Sequence, residues 1–349
     1  MRAVRILVVG AGAIGRAHAE RLAKGPGDAR LAGVVDPAPA AREWAQELGA
    51  PIHADLGNAL AADRPDAAIV ATPNDTHLPL SLALLKQKIP VLVEKPIAST
   101  VVEAEALTTA ARAEGVPVLV GHHRRHNPII RAARQIIDEG RLGRLVSVTA
   151  MATFLKPEPY FEFEWRRHKP GGGPIVINLI HDIDLVRHLC GEIVSVQALV
   201  SSATRGFVVE DTAAALMRLD NGALVTLALS DTAAAPWNWD LSAGESAHYP
   251  PQPMRANSHF ICGAEGALTL PYLEYWRYDG PKGWHCPLSA SLMAHDGDNP
   301  YDAQIAHFCR VARGEEAPLV SAEDATRTLR ATLAVREAAE TGRLINLVG

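Results

Sequence analysis

Aromatic residues are scarce, at 5% of the 349 residues, and almost missing from the first part of the chain. Of six Phe, six Trp and six Tyr, only Trp44 precedes Phe154. The first part is built instead from small aliphatic residues in short blocks. Cysteine is equally sparse. Cys190, Cys262, Cys286 and Cys309 are far apart and form no C-x-x-C pair, which argues against a disulfide framework or a zinc site and fits a reducing cytoplasm. No apolar run reaches the roughly 18 residues that a membrane helix needs. The stretch Met1 to Gly10 has a charged start but lacks the length and cleavage site of a signal peptide. Positive charge is not in excess either: 34 Lys and Arg stand against 39 Asp and Glu, a net −5, so nucleic acid and anionic membranes are not expected as partners. What is present is an ordinary globular balance, 48% hydrophobic and 21% charged, on a chain long enough for two domains.

The first part alternates. Strands are predicted at 4–10, 31–36, 66–71, 90–94 and 117–121, with helices at 13–24, 38–48, 76–87 and 100–114. Continuous apolar runs such as Ala67 to Ala71 suit strands buried on both faces, as in a parallel sheet. Strands alternating with helices predict a doubly wound α/β domain. After Gly121 the rhythm changes. A helix is predicted at 128–139, a strand at 144–153 and a helix at 175–189. Strands follow at 193–202, 212–219 and 223–230, two more flank Gly263 to Gly266, and helices close the chain at 300–313 and 321–341. Asp220-Asn221-Gly222 is a hairpin signal. These elements predict an α+β domain with a mostly antiparallel open sheet, and a division at 1–122 and 123–349. The stretches 231–257 and 280–298 are long for plain connections and read as functional loops.

Gly10-Ala11-Gly12-Ala13-Ile14-Gly15 follows a buried strand and opens a helix, the context that a dinucleotide-binding glycine loop requires. Gly10 permits the tight turn, Gly12 lets the backbone approach a pyrophosphate, and Gly15 lets helix and strand pack closely. The helix start, with Ala13 and Ile14, supplies free N–H groups and a positive dipole end. Asp36 ends the second strand, where a carboxylate binds adenosine ribose hydroxyls. That carboxylate repels a 2′-phosphate, and Pro37, Ala38 and Pro39 offer no cation, so NAD is favoured over NADP. Thr72-Pro73-Asn74 with His77, and Glu94-Lys95-Pro96, follow later strands at the edge where open α/β sheets bind ligands.

These residues resemble the glucose–fructose oxidoreductase, inositol dehydrogenase and MocA family. Further matches are Gly121 to Pro128, Trp165-Arg166, Gly171-Gly172-Gly173 with His181 and Asp184, and the stretch from Ala303 to Leu347. The resemblance implies a Rossmann-type first domain and NAD(P)-dependent oxidation of a secondary alcohol on a sugar, cyclitol or derivative. Its catalytic lysine matches Lys95 and its usual catalytic histidine matches His181. One position departs. Inositol dehydrogenase-like members usually carry Asp four residues before that histidine, where this chain has Ile177 followed by Asn178. Asn178 can share a helical face with His181.

Removing a hydride from an alcohol needs a base for the hydroxyl proton, and histidine titrates in the right range. A nearby lysine stabilises developing alkoxide charge and depresses the histidine pKa. The expected roles are His181 as base, Lys95 as electrostatic partner and Asn178 as substrate positioner, with Asp184 or Asp182 orienting the imidazole. A desolvated Lys95 as the base is the alternative. His122, His123 and His126 resemble metal ligands by count, but Arg124 and Arg125 oppose a cation, and no metal is expected. His123 is expected at the nicotinamide, and Arg124, Tyr160, Trp165, Arg166 and Trp237 at a neutral polyol ring held between the domains, with Trp239 as a further stacking residue. Alternatives to a dehydrogenase are an enzyme of lyase, epimerase or glycosidase type that oxidises transiently on the same NAD, and a non-catalytic NAD-binding sensor. Runs such as Ala223 to Leu229 put apolar residues on both faces of the second sheet, so a homodimer or homotetramer through that sheet is expected.

Overall fold

The computed structural model describes residues 2–245 and 249–347; Met1, Ser246 to His248 within the expected 231–257 loop, Val348 and Gly349 lie outside the described residues. The chain divides into two compact units, one of residues 1–126 and 300–329, the other of residues 127–299 and 330–349.

The first unit holds a parallel sheet of β1 (Val4–Val9), β2 (Ala29–Val35), β3 (Ile52–His53), β4 (Ala67–Val70), β5 (Val91–Val93) and β6 (Val118–Val120), in the order β3-β2-β1-β4-β5-β6. Helices α1 (Ala13–Lys24), α2 (Pro39–Glu47), α3 (Leu56–Ala62), α4 (His77–Lys86) and α5 (Val101–Glu114) supply the crossovers. Strands β4, β5 and β6 are buried at every position, which is why they read as unbroken apolar runs. The strand order reverses between β1 and its neighbours β2 and β4, so the loops after β1 and β4 meet at the switch point where such sheets bind ligands. The short β3 and α3 add to the elements expected from sequence.

The second unit begins with α6 (Pro128–Asp138) and β7 (Leu145–Thr153). A π-turn at Ile175–Leu179 leads into α7 (Ile180–Cys190), followed by β8 (Ile193–Ser201), β9 (Thr212–Leu219) and β10 (Leu224–Ser230). After the short α8 (Trp239–Ser242) come β11 (His259–Gly263), β12 (Gly266–Leu270), β13 (Glu274–Arg277) and β14 (Ser289–Leu292). Helix α9 (Pro300–Ala312) belongs to the first unit, α10 (Ala322–Thr341) has its first turns there and the rest in the second, and β15 (Ile345–Asn346) closes the sheet. The strand order is β14-β13-β12-β11-β7-β10-β9-β8-β15, antiparallel except for the β7–β10 pair. Asp220-Asn221-Gly222 makes the β9–β10 hairpin, with Gly222 at a φ of +86° that side chains resist.

Helices α6 and α7 contribute Ile130, Ile136, Ile183 and Leu189 to the core on one face of this sheet. The other face carries Leu199, Leu216, Leu224, Phe260 and Trp276, all exposed. Burial along β9 alternates strictly, yet its outward positions include Ala214 and Leu216 as well as Arg218. The 280–298 stretch, expected as a loop, contains β14, and β14 is exposed at every position.

Candidate active site

The glycine loop is built by backbone crowding. A Cβ on Gly10 (φ +99°) would lie 2.6 Å from the Ala71 carbonyl oxygen, and one on Gly15 would lie 1.9 Å from that of Gly10. Gly12 is different: its would-be Cβ has nothing within 4 Å, so the space in front of it is open. Gly12 is also the N-cap of α1, with no side-chain cap and no acid in the first turn. The first N–H groups of α1, with Ala13 and Ile14, therefore have no side-chain acceptor to compete with a phosphate. The Asp36 carboxylate accepts from Ala11 N at 2.7 Å and Ala38 N at 2.8 Å, which sets it beside the loop with lone pairs left for ribose hydroxyls. These residues fit a dinucleotide.

The neighbouring loops are tied together from behind. His77 is buried, and its ring nitrogens lie 2.8 Å from the Pro96 carbonyl oxygen and 2.9 Å from that of Thr72. Burial holds its pKa below the ordinary value, against the upward pull of both carbonyls and of Glu94. His77 thus joins the Thr72-Pro73-Asn74 loop to the Lys95-Pro96 turn. Thr72 and Asn74 are part-buried and Pro73 is exposed.

Glu94 likewise works internally. Its Oε1 lies 2.7 Å from His18 Nε2 on α1, and its Oε2 accepts from Lys95 N at 3.2 Å. It fits because Gly121 has no side chain; a Cβ there would come within 2.7 Å of Oε2. Burial works to raise its pKa, but the hydrogen bond and charge of His18, with His123 and Lys95, hold it below the ordinary value. Glu94 therefore ties the backbone turn that carries the half-buried Lys95 to the helix that the glycine loop opens. Its bond to Pro96 is cis.

Residues 122–127 are all buried. His123 stacks on Tyr301 of α9 with ring centroids 4.3 Å apart, and Arg125 pairs with Asp324. Arg124 is 2% exposed. Among the described residues no group of three or more His, Cys, Asp or Glu is placed to hold a metal ion.

In the second unit Gly171-Gly172-Gly173 is pinned in place. A Cβ on Gly172 would fall within 2.7 Å of the carbonyl oxygens of Trp165, Arg166 and His168. Arg336 donates to Pro170 O at 2.8 Å and to Glu210 at 3.2 Å, and Ile175 N donates to Glu210 at 3.0 Å. The following π-turn corrects the expectation of an α-helix from 175, and such turns recur at functional sites. Spacing rules for an α-helical face therefore do not describe residues 175–179. Ile175, Val176, Leu179 and Ile180 are buried, whereas Ile177 and Asn178 are half-buried. His181, on the first turn of α7, is buried.

Asn178 has a partner that sequence reasoning does not find. Lys156 Nζ, on a 5% exposed residue, donates to Asn178 Oδ1 at 2.6 Å and lies 3.5 Å from Asp231. Burial raises the Asp231 pKa, opposed by Lys156 and Arg205. Arg205 donates to Asp231 Oδ1 at 3.0 Å. The Lys156 ammonium sits 4.6 Å from the Tyr160 ring centroid, and the Arg166 guanidinium packs on the same ring at 3.9 Å. Trp165 and Trp237 are exposed, but Trp239 is fully buried in the core and so cannot stack on a ligand. Asp182 lies 3.5 Å from His259, and Asp184 is buried. The signals in sequence are faint: Lys156 is a lysine in the apolar stretch Phe154 to Pro157, and His18 is a polar residue on the apolar stripe of α1.

Residues 4–122 match the model of the oxidoreductase family with NAD-binding Rossmann fold, and residues 130–268 match the GFO/IDH/MocA C-terminal domain. The chain is 31% identical over 332 residues to myo-inositol dehydrogenase Hyg17 of Streptomyces leeuwenhoekii, covering 84% of this chain and 98% of the relative. It is 26% identical over 353 residues to scyllo-inositol 2-dehydrogenase (NAD(+)) of Bacillus subtilis strain 168, covering 99% of this chain and 96% of the relative. The WlbA dehydrogenase of Bordetella pertussis, solved with NADH and UDP-GlcNAcA, shares the fold at a TM-score of 0.81 and 22% identity, with full coverage of both chains. With the family's two domains matched in order and a relative covered nearly end to end, the chain belongs to the Gfo/Idh/MocA family of NAD-dependent oxidoreductases acting on CH–OH groups.

Proposed function

We propose that this protein is a dehydrogenase that oxidises a secondary hydroxyl of a neutral polyol ring, or of a lightly oxidised derivative, to a ketone. The first unit binds NAD and the second binds the ring. The observation that carries the reading is the fixed turn that bears the half-buried Lys95: Glu94 bonds His18 of the dinucleotide-loop helix and the Lys95 backbone N–H.

Bound NAD supplies the hydride acceptor. Gly10, Gly12, Gly15 and the start of α1 hold its pyrophosphate, and Asp36 its adenosine ribose. Lys95 stabilises the alkoxide as the hydroxyl proton leaves, and His181 takes that proton. Asn178 positions the ring, and Trp165 and Trp237 offer faces for its C–H groups. The exposed apolar face of the second sheet supports pairing with another copy of the chain. A panel of sugars and cyclitols, read at the NADH absorbance band, tests the function. Steady NADH formation with at least one neutral ring is expected; a strict requirement for phosphorylated substrates overturns the substrate class.

A further inference from the structure

We propose that His18 is a positioning residue for Lys95: through Glu94 it sets the turn from which the lysine side chain departs, in fixed register with the helix that opens the dinucleotide loop. The inference rests on the reading of Lys95 as the group that stabilises the alkoxide, and it brings a residue of α1 into that step.

The chemistry supplies the need. A group that stabilises developing charge works only at a defined place relative to the hydride acceptor, and a shift of about 1 Å can cost about 100-fold in rate. On this reading the start of α1 holds the pyrophosphate, whereas Lys95 follows β5, two strands away from β1 in the sheet. A tie between α1 and the turn after β5 removes the slack between the two.

His18 is built as that tie. It lies on α1, is 1% exposed, and has its Nε2 2.7 Å from Glu94 Oε1. Its Nδ1 is buried without a hydrogen-bond partner among the described residues, so the polar side of the ring is committed to Glu94. The Glu94 carboxyl, held below its ordinary pKa, accepts from Nε2 and, through Oε2, from Lys95 N at 3.2 Å. Glu94 N donates to Val70 O at 2.9 Å, and the Pro96 carbonyl oxygen is engaged by His77 at 2.8 Å. The chain is therefore held on both sides of Lys95. Stability alone does not call for a buried imidazole–carboxylate pair, because apolar side chains of similar volume do as well in such a place. The fit is close: a Cβ on Gly121 would come within 2.7 Å of Oε2 and 3.0 Å of Oε1.

Hydrogen exchange and kinetics on the full chain test this together. Exchange of the Lys95 amide, followed by mass spectrometry at single-residue resolution, needs no substrate. It should be about tenfold faster in His18→Leu and in Gly121→Ala than in the parent, the effect of one lost hydrogen bond, with the amides of β1 unchanged. Turnover is read with NAD and myo-inositol, scyllo-inositol or D-glucose. Both variants should lower kcat and kcat/KM together by about 10-fold or more, the mark of an interaction made only in the transition state, while calorimetric NAD binding stays unchanged. His18→Gln, whose amide nitrogen replaces Nε2 as donor, should bring exchange and turnover back to within about threefold of the parent. In a Lys95→Ala background His18→Leu should cost no further turnover, whereas a general loosening of the fold costs its full factor again. Gly121→Ala removes no polar group and carries the test if His18→Leu does not fold. Parent-like exchange at Lys95, parent-like turnover in both variants while Lys95→Ala is slow, or a loss that persists at full size without Lys95 overturns the inference. Faster exchange in a protein that oxidises none of the three rings supports the tie and counts against the dehydrogenase reading alone.

Discussion

Replacing Asp36 with Ala separates what its carboxylate does for the fold from what it does for the cofactor. Its two oxygens accept from Ala11 N and Ala38 N, tying the glycine loop and the approach to α2 to the end of β2. A hydrogen bond to a charged acceptor is worth about 1.5–3 kcal/mol when buried. Asp36 is only part-buried, so the two together should contribute about 2 kcal/mol, read as a lower midpoint in denaturant. The cofactor effect is distinct. Each ribose hydroxyl bonded to the carboxylate strengthens NAD binding by a similar amount, so its loss should weaken NAD at least about tenfold. NADP should respond in the opposite sense, because a carboxylate that repels its 2′-phosphate has gone. A merely loosened loop would weaken both dinucleotides alike. Parallel titrations by quenching of protein fluorescence, with a denaturation curve for each variant, distinguish the cases. Asp36→Ala protein that is folded and binds NAD within threefold of the parent would refute the reasoning. So would parent protein that binds NADP as tightly as NAD.

Three further outcomes follow from the site and the sheet. Lys95→Ala and His181→Ala should each lower turnover by about 100-fold or more while calorimetric NAD binding stays nearly unchanged, the usual size of an acid–base or electrostatic contribution; near-normal turnover removes that residue from the mechanism. His77 should give a pH-dependent stability. The unfolded chain takes up a proton near 6.5 that the buried ring resists, so this contribution is complete above pH 6.5 and is lost as pH falls below it. Below 4.5 the depressed Glu94 adds a loss of the same sign. Melting temperatures from pH 8 to 5 should fall toward acid, and less steeply in His77→Gln; identical slopes would deny the assignment. Leu216→Asp on the exposed face of β9 should convert an oligomer into a species of 37.3 kDa by light scattering, whereas a parent protein already of that mass would mean that this face has no partner.

The legible parts of the molecule are those written in local sequence. Apolar runs such as Ala67–Val70 give buried parallel strands because both faces of the first sheet are covered. The glycine loop is legible because Gly10 and Gly15 each answer a steric demand, while Gly12 leaves open space at the start of α1. The hairpin at Asp220 to Gly222 is legible because a positive φ selects glycine. The two-residue β3 carries too little pattern to stand out. The π-turn at Ile175–Leu179 has the composition of an ordinary helix, and only its hydrogen-bond register differs. Lys156 reaches Asn178 across 22 positions of sequence, and His18 reaches Glu94 across 76, so neither contact has a spacing rule to betray it. Glu94 and His77 read as cofactor ligands from their place beside the loop. The internal bonds of both carry no such signal: Glu94 bonds His18 and the Lys95 backbone N–H, and His77 joins two loops. Trp237 and Trp239 cannot be told apart in sequence, yet one is exposed and the other lies in the core.

The central claim is a net transfer of hydride from a ring carbinol carbon to nicotinamide. It is tested most directly with polyols deuterated at carbon, incubated with NAD and this protein, followed by mass spectrometry of the dinucleotide. The account predicts stoichiometric reduced dinucleotide one mass unit heavier, together with the matching ketone. Deuterium that returns to the product without net reduced dinucleotide would contradict it in favour of transient oxidation. A dinucleotide that stays oxidised and unlabelled, with no ring transformed, would contradict it in favour of a binding protein.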